Sequence, residues 1–180
     1  MRRSDLAHIL RAATEVSDDG EILVIGSQAI LAAYSETELP PEATVSIEAD
    51  IAFLDDSDDE KADRVDGAIG EASMFHSQFG YYGQGVGLAT ATLPGGWEDR
   101  LVPFEWGDTG KAKAVCLEPH DLVLAKLVAG REKDREFADA LIGRGLVDPE
   151  VLLERVETLP VVGAIKRRVR TFIERRMDNT

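Results

Sequence analysis

The sequence predicts an α/β (α+β) fold with a helical C-terminal region. Three observations carry that expectation. A short, buried-type strand, Ile22 to Ile25, lies between two helical patterns. A run of alternating apolar and polar residues follows from Val45 to Leu54. After Pro119 the apolar residues recur at helical spacing almost to the end of the chain, and these periods of two and of 3.6 residues separate strand from helix.

Taken in order, Leu6, Ile9, Leu10 and Ala13 form an amphipathic opening helix over residues 4–16, with Ser4 as its N-cap. Asp18-Asp19-Gly20 turns the chain into the strand Glu21-Ile22-Leu23-Val24-Ile25, which is rich in branched side chains. Ser27 to Tyr34 reads as a short alanine-rich helix, and residues 35–43, with Pro40-Pro41, as an exposed loop. In the second strand, Val45, Ile47, Ala49, Ile51 and Phe53 alternate with Ser46, Glu48, Asp50 and Ala52. The acids therefore share the face opposite the apolar set. A polar helical stretch is expected from Glu60 to Met74.

Gly80, Gly83, Gly85 and Gly87 fit neither a Walker loop nor a dinucleotide fingerprint. They read as a loop feeding a strand. Val86 to Leu93 and Arg100 to Glu105 then flank Pro94-Gly95-Gly96-Trp97 as a hairpin, and Gly107-Asp108-Thr109-Gly110 turns into a strand over 112–117. An antiparallel meander results. Helices are expected over 119–129, 132–142, from Asp148, and over 161–177, with Pro119 in a first turn. The division is a core over residues 1–118 and a helical region over 119–180 packed on it.

Of the 180 residues, 44% are hydrophobic, enough for a core, yet no apolar run nears the roughly 20 residues that span a bilayer. Met1-Arg2-Arg3-Ser4 is not followed by the apolar stretch of a signal peptide, and the expected location is cytoplasmic, with no membrane partner. The single cysteine, Cys116, excludes an internal disulfide and a multi-cysteine zinc site. It reads as a packed thiol, and His8, His76 and His120 as surface or capping residues without ligand spacing. The net charge of −14 opposes non-specific nucleic-acid binding. No nucleophile-elbow spacing marks a catalytic triad.

Four features bear on chemistry. Glu48 and Asp50, two apart on a strand, form a carboxylate pair that repels itself and loses water. A divalent cation with oxygen ligands, magnesium or manganese, compensates such a pair, whereas a solvated edge strand carries it with no function. Gly26-Ser27, where strand gives way to helix, offers free N–H groups and a hydroxyl to a phosphate. Lys126 sits in a helix apolar almost all round, so it snorkels, pairs with a carboxylate or faces an anion. Arg131 either adds a second phosphate contact or belongs to a solvated helix start. The terminal helix carries Lys166, Arg167, Arg168, Arg170, Arg175 and Arg176 against Glu174. It would guide an RNA or compensate nearby acids, and the second reading is preferred.

With Ile25-Gly26-Ser27-Gln28-Ala29-Ile30, Ser46-Ile47-Glu48-Ala49-Asp50-Ile51 and Lys126-Leu127-x-Ala129-x-Arg131-x-Lys133-Asp134 in this order, the chain resembles the minimal nucleotidyltransferase-like proteins. These belong to the DNA polymerase β-type superfamily, near the abortive-infection toxins of type IV toxin–antitoxin systems. The resemblance implies a mixed sheet flanked by helices and transfer of a nucleotide from a nucleoside triphosphate to a hydroxyl on RNA, protein or a small molecule. By position, Gly26 and Ser27 would hold phosphates, Glu48 and Asp50 one or two magnesium ions, and Lys126 and Arg131 would offset phosphate charge. A cognate antitoxin is the partner implied by the toxin likeness. Two departures stand out. Glu48 occupies a position usually held by aspartate, while in the alternative register Ala52 replaces the second acid. The third carboxylate lacks a clear counterpart, and Glu105 is the candidate. A catalytically degenerate fold that binds a nucleotide or a protein is the alternative function.

Overall fold

The computed structural model describes residues 1–105, 107 and 113–177. The expected turn at 108–110 and the start of the strand at Ala112 fall outside them. The first helix, α1 (Arg3–Ser17), begins one residue earlier than its apolar spacing suggests. Its N-cap is Arg2, whose N–H donates to Asp5 Oδ2 at 2.9 Å, so Asp5 and not Ser4 secures the start. Strand β1 (Glu21–Val24) follows, and the helix expected after it is a 3-10 turn over Ser27–Ala32. A single helical turn, α2 (Pro41–Thr44), interrupts the expected loop. Strand β2 is shorter than its alternation, Glu48–Ala52, and Val45 is left 78% exposed.

The long polar helix is two, α3 (Glu60–Ile69) and α4 (Met74–Phe79), separated at Gly70. Strand β3 (Tyr82–Gly85) lies inside the glycine-rich run, where only a connecting loop was expected. A Cβ on Gly83 would lie 2.8 Å from Ile9, and one on Gly85 would lie 1.8 Å from the Ala62 carbonyl oxygen. The strand is glycine-rich because α1 and α3 press directly on its backbone.

The sheet order is β3-β2-β1-β5-β4, with β4 (Val102–Pro103) and β5 (Lys113–Cys116) at the far side. β1 runs antiparallel to β2 and parallel to β5, β2 runs parallel to β3, and β4 runs antiparallel to β5. The sheet is therefore mixed, as the resemblance implies. Of the antiparallel meander, the pairing of β4 with β5 is present, but its first strand is not: residues 86–93 hold a 3-10 turn at Leu88–Thr90 and no strand, and β3 and β4 occupy opposite edges.

Helices α1 and α3 cover one face of the sheet, the 3-10 turn covers the other, and α5 (Pro119–Ala129) packs on that turn. α6 (Glu132–Gly143), α7 (Pro149–Val156) and α8 (Gly163–Met177) complete the chain. One apolar cluster runs from Leu6 and Ile9 through Ile22, Val24 and Ile51 to Leu122, Leu141 and Ile173. Burial of this surface, at about 25 cal/mol per Å², is the main stabilising term.

A polar network fixes α5 at its N-terminus. The Glu118 carboxylate accepts from the N–H groups of His120 and Asp121, joins His120 Nδ1 at 2.6 Å and pairs with Arg155 of α7. Asp121, 1% exposed, accepts from Arg100 Nε at 2.8 Å and from Arg155 at 2.8 Å. His120 Nε2 accepts the Asp148 N–H at 2.9 Å, tying α5 to the start of α7. At the other end Gly130, φ +70°, closes α5 in the left-handed conformation, and its N–H donates to the Lys126 carbonyl. The whole helix, and Lys126 with it, is thereby held against the 3-10 turn and the neighbouring helices.

Candidate active site

Register decides which way the acidic pair points. Ala49 pairs with Gly83 and Ile51 with Gly85, and both glycines face α1 and α3. Glu48 and Asp50 consequently project from the opposite face, toward the 3-10 turn and α5. There Asp50 meets the backbone of Gly26: a Cβ built on Gly26 would lie 1.6 Å from Asp50 Oδ2. Only glycine allows the turn and the carboxylate to approach so closely. The Ile25 N–H also donates to the Asp50 carbonyl at 3.1 Å, continuing the β1–β2 ladder to the turn itself.

A cleft of about 200 Å³ opens beside this contact, lined by Gly26, Asp50, Thr90, Lys126 and Arg131 among others. Burial, and then the neighbouring Glu48 carboxylate, push the Asp50 pKa up to about 6, although Lys126 and Arg131 pull the other way. Burial lowers the Lys126 pKa, against the raising effect of Asp134 and Asp50. Asp134, 1% exposed, anchors both cations: it lies 3.7 Å from Lys126 Nζ and binds Arg131 Nε at 2.7 Å and Nη2 at 3.1 Å. Burial opposes its charge, yet the Arg131 hydrogen bond and the Lys126 charge hold its pKa below the ordinary carboxylate range. Arg131 keeps 59% of its side chain exposed, so one edge of its guanidinium is spent on Asp134 while the rest faces outward.

Glu48 accepts the Tyr82 hydroxyl at 3.2 Å across the β2–β3 ladder. Burial and the Glu48 charge raise the Tyr82 pKa to about 12, so the phenol remains a donor. Directly opposite Asp50 on β3 stands Gln84, whose amide donates to Asp66. Position 84 therefore adds no third carboxylate beside Asp50.

The structure thus brings together Gly26, Asp50, Lys126 and Arg131 around one cleft, with Glu48 beside Asp50. Ser27 opens the 3-10 turn next to Gly26, and its hydroxyl accepts from Gln28 Nε2 at 3.4 Å. Glu105 is not part of the group. It follows β4, and β1 and β5 separate β4 from β2, about 14 Å at ordinary strand spacing. Its carbonyl accepts from Arg3 Nη2 at 2.8 Å. Among the described residues no three histidines, cysteines or acids gather as a metal-ligand set. Cys116 is fully enclosed, and burial drives its thiol pKa upward, in keeping with a packed thiol.

Sequence reasoning assigned no role to Asp134, Tyr82 or Gln84. The i,i+3 spacing of Arg131 and Asp134 at a helix start was a readable sign of the first. The other two acquire their place through strand register, which leaves no local trace.

An α+β protein with a carboxylate pair on an interior strand, a glycine turn against it and two cations at the junction of two helices has the layout of a nucleotidyltransferase-like protein. The model of the family described as "Nucleotidyltransferase of unknown function (DUF6036)" matches residues 4–176. The chain belongs to that family. Comparison with curated proteins and with solved structures gives no match. No helix among the described residues is long and apolar enough to cross a membrane.

Proposed function

We propose that the protein is a metal-dependent nucleotidyltransferase that moves a nucleotide from a nucleoside triphosphate to a hydroxyl acceptor. The observation that carries this reading is the contact of Gly26 with Asp50 across a cleft whose other wall holds Lys126 and Arg131. A carboxylate pair, a turn with N–H groups and two cations then share one site, as a triphosphate and its counter-ion require.

The donor set fits magnesium or manganese. These ions are held by one or two carboxylates together with substrate phosphates and water, and Glu48 and Asp50 are two such carboxylates. Their crowding, visible in the raised Asp50 pKa, is relieved by a divalent cation. When bound, the ion activates the incoming hydroxyl and neutralises charge on the departing pyrophosphate. Ser27 opens the 3-10 turn beside Gly26, which lines the cleft, and its N–H, without an intrahelical acceptor, would meet a phosphate oxygen bound there. Lys126 and Arg131, braced by Asp134, offset phosphate charge without swinging away. In the transfer the acceptor hydroxyl releases its proton to solvent, its oxygen bonds to the α-phosphorus, the bond from that phosphorus to the oxygen bridging to the β-phosphate breaks, and pyrophosphate leaves.

The test combines binding with turnover. Calorimetry is expected to detect magnesium and nucleotide binding that Asp50→Ala abolishes. Labelled triphosphates incubated with total RNA and protein are expected to mark an acceptor and release pyrophosphate. A second reading rests on Gln84 opposite Asp50 and on the Glu48–Tyr82 hydrogen bond, which lower the number of carboxylates available to metal. It takes the protein as a nucleotide-binding module without turnover. Nucleotide binding unchanged by chelation, with no pyrophosphate, selects that reading. A toxin-like role with a cognate antitoxin extends the first one, and predicts growth arrest on expression that Asp50→Ala relieves.

A further inference from the structure

A second cleft, of about 430 Å³, lies where α8 packs on the junction of α5 and α6. Arg135, Arg167, Arg168, Arg175 and Arg176 line it, and no acidic side chain among the described residues does. The concentration of charge is at odds with the rest of the chain. Of 20 basic residues, six fall in α8, and of 34 acidic residues only Glu174 does.

Compensation of nearby acids accounts for part of this charge. Arg170 pairs with Glu157, Lys166 Nζ donates to the Glu157 carbonyl at 2.6 Å, and Arg176 Nε lies 2.6 Å from Asp139. Arg176 lines the groove as well, and the groove residues follow two rows along α8. Arg167, Thr171 and Arg175 are exposed and spaced four apart, forming one row about 12 Å long on the helix surface. Arg168, Phe172 and Arg176 form the parallel row, with the Arg176 guanidinium 3.6 Å from the centroid of the Phe172 ring. Arg168 Nη2 donates to the carbonyls of Leu127 and Val128, which fixes the groove floor to the end of α5. That floor includes Gly130, while Ala129 and Arg131, its chain neighbours, line the Asp50 cleft. The two clefts share a wall one residue thick.

We infer that this arginine groove binds single-stranded RNA and leads it to the Asp50 cleft. Planar guanidinium forks match phosphate oxygens two at a time. The chain carries a net charge of −14, so a polyanion gains most where basic side chains are concentrated, and the row of arginines suits a linear strand. A strand laid there brings a ribose hydroxyl toward the nucleotide site. Its role as acceptor rests on the transferase reading above, whereas its binding does not.

Fluorescence anisotropy of a labelled single-stranded RNA of about 12 nucleotides tests the groove. Binding is expected at about 50 mM salt and is expected to weaken steeply toward 200 mM. Arg167→Gln with Arg175→Gln is expected to weaken it roughly tenfold and to lower the log–log salt slope by about 1.4, for two lost phosphate contacts. Lys166→Gln with Arg170→Gln removes the same charge from the other side of α8 and is expected to leave affinity nearly unchanged. Circular dichroism checks that both double variants are folded. Absence of binding at low salt, or equal losses in the two variants, overturns the groove. Displacement of the RNA by polyglutamate as readily as by unlabelled RNA overturns it in favour of an acidic protein partner. Arginine-dependent RNA binding without pyrophosphate release keeps the groove and removes the transferase, while transfer without RNA binding does the reverse.

Discussion

Replacing Asp50 with asparagine keeps the shape of the protonated acid and removes its charge. In the folded protein Asp50 holds its proton up to about pH 6, because burial and Glu48 disfavour the anion. The reference aspartate releases its proton at 3.8. Between those values the native state binds a proton that the unfolded chain has lost, so stability falls as pH rises. The difference amounts to about 3 kcal/mol, fully lost to the protein above pH 6. Asp50→Asn escapes this loss. It is expected to match the parent near pH 4 and to exceed it by about 3 kcal/mol at pH 8. Urea unfolding across that range, with parent and variant compared at each pH, gives the number directly.

Comparison at each pH matters because Glu118 acts in the opposite direction. Burial opposes its charge, but His120 and Arg155 hold its pKa near 2, below the reference 4.5. Its stabilising effect is present above 4.5 and is lost as pH falls toward 2, equally in both proteins, so it cancels in the difference. Magnesium provides an independent arm. At pH 8 it is expected to stabilise the parent in proportion to RT ln(1 + [Mg]/Kd) and to leave the variant unmoved. If Asp50→Asn proves no more stable than the parent at pH 8, burial and Glu48 do not disfavour the Asp50 charge and the cation has no strain there to relieve.

Two further substitutions probe the supports of the site. Gly26→Ala places a Cβ 1.6 Å from Asp50 Oδ2, so the acid or the turn must shift. Thermal unfolding is expected to register a cost of about 1–3 kcal/mol, with loss of the magnesium effect, and an unchanged response to magnesium would show that the contact is incidental. Asp121→Ala leaves Arg100 and Arg155 without their buried partner. The expected cost is about 3–5 kcal/mol, a drop in Tm of roughly 6–20 °C by calorimetry, and a loss under 1 kcal/mol would reduce the network to a surface contribution.

Much of the candidate site was readable because its parts are local patterns. The acids two apart on an alternating strand, the glycine after β1 and the lysine in an apolar helix each follow from periodicity alone. β3 was not readable as a strand. Gly83 and Gly85 carry no side chain to alternate, and their reason for being there is the approach of Ile9, Ile69 and the Ala62 carbonyl from other elements. The Val86 to Leu93 run misled for the converse reason, since apolar composition without strict alternation does not fix a strand, and this segment turns at Leu88–Thr90.

The sequence by itself determined α1, the four helices after Pro119, the strands β1 and β2 and the face on which Glu48 and Asp50 lie, since each depends on spacing within a few residues. Tertiary structure decided the rest: the mixed strand order, the exclusion of Glu105, the amide of Gln84 opposite Asp50, and the anchoring of Lys126 and Arg131 by Asp134. The strand relations join residues tens of positions apart, and the Asp134 contacts, though close in sequence, depend on which neighbours enclose the charges. Packing and register set them, and neither is written in any short stretch of the chain.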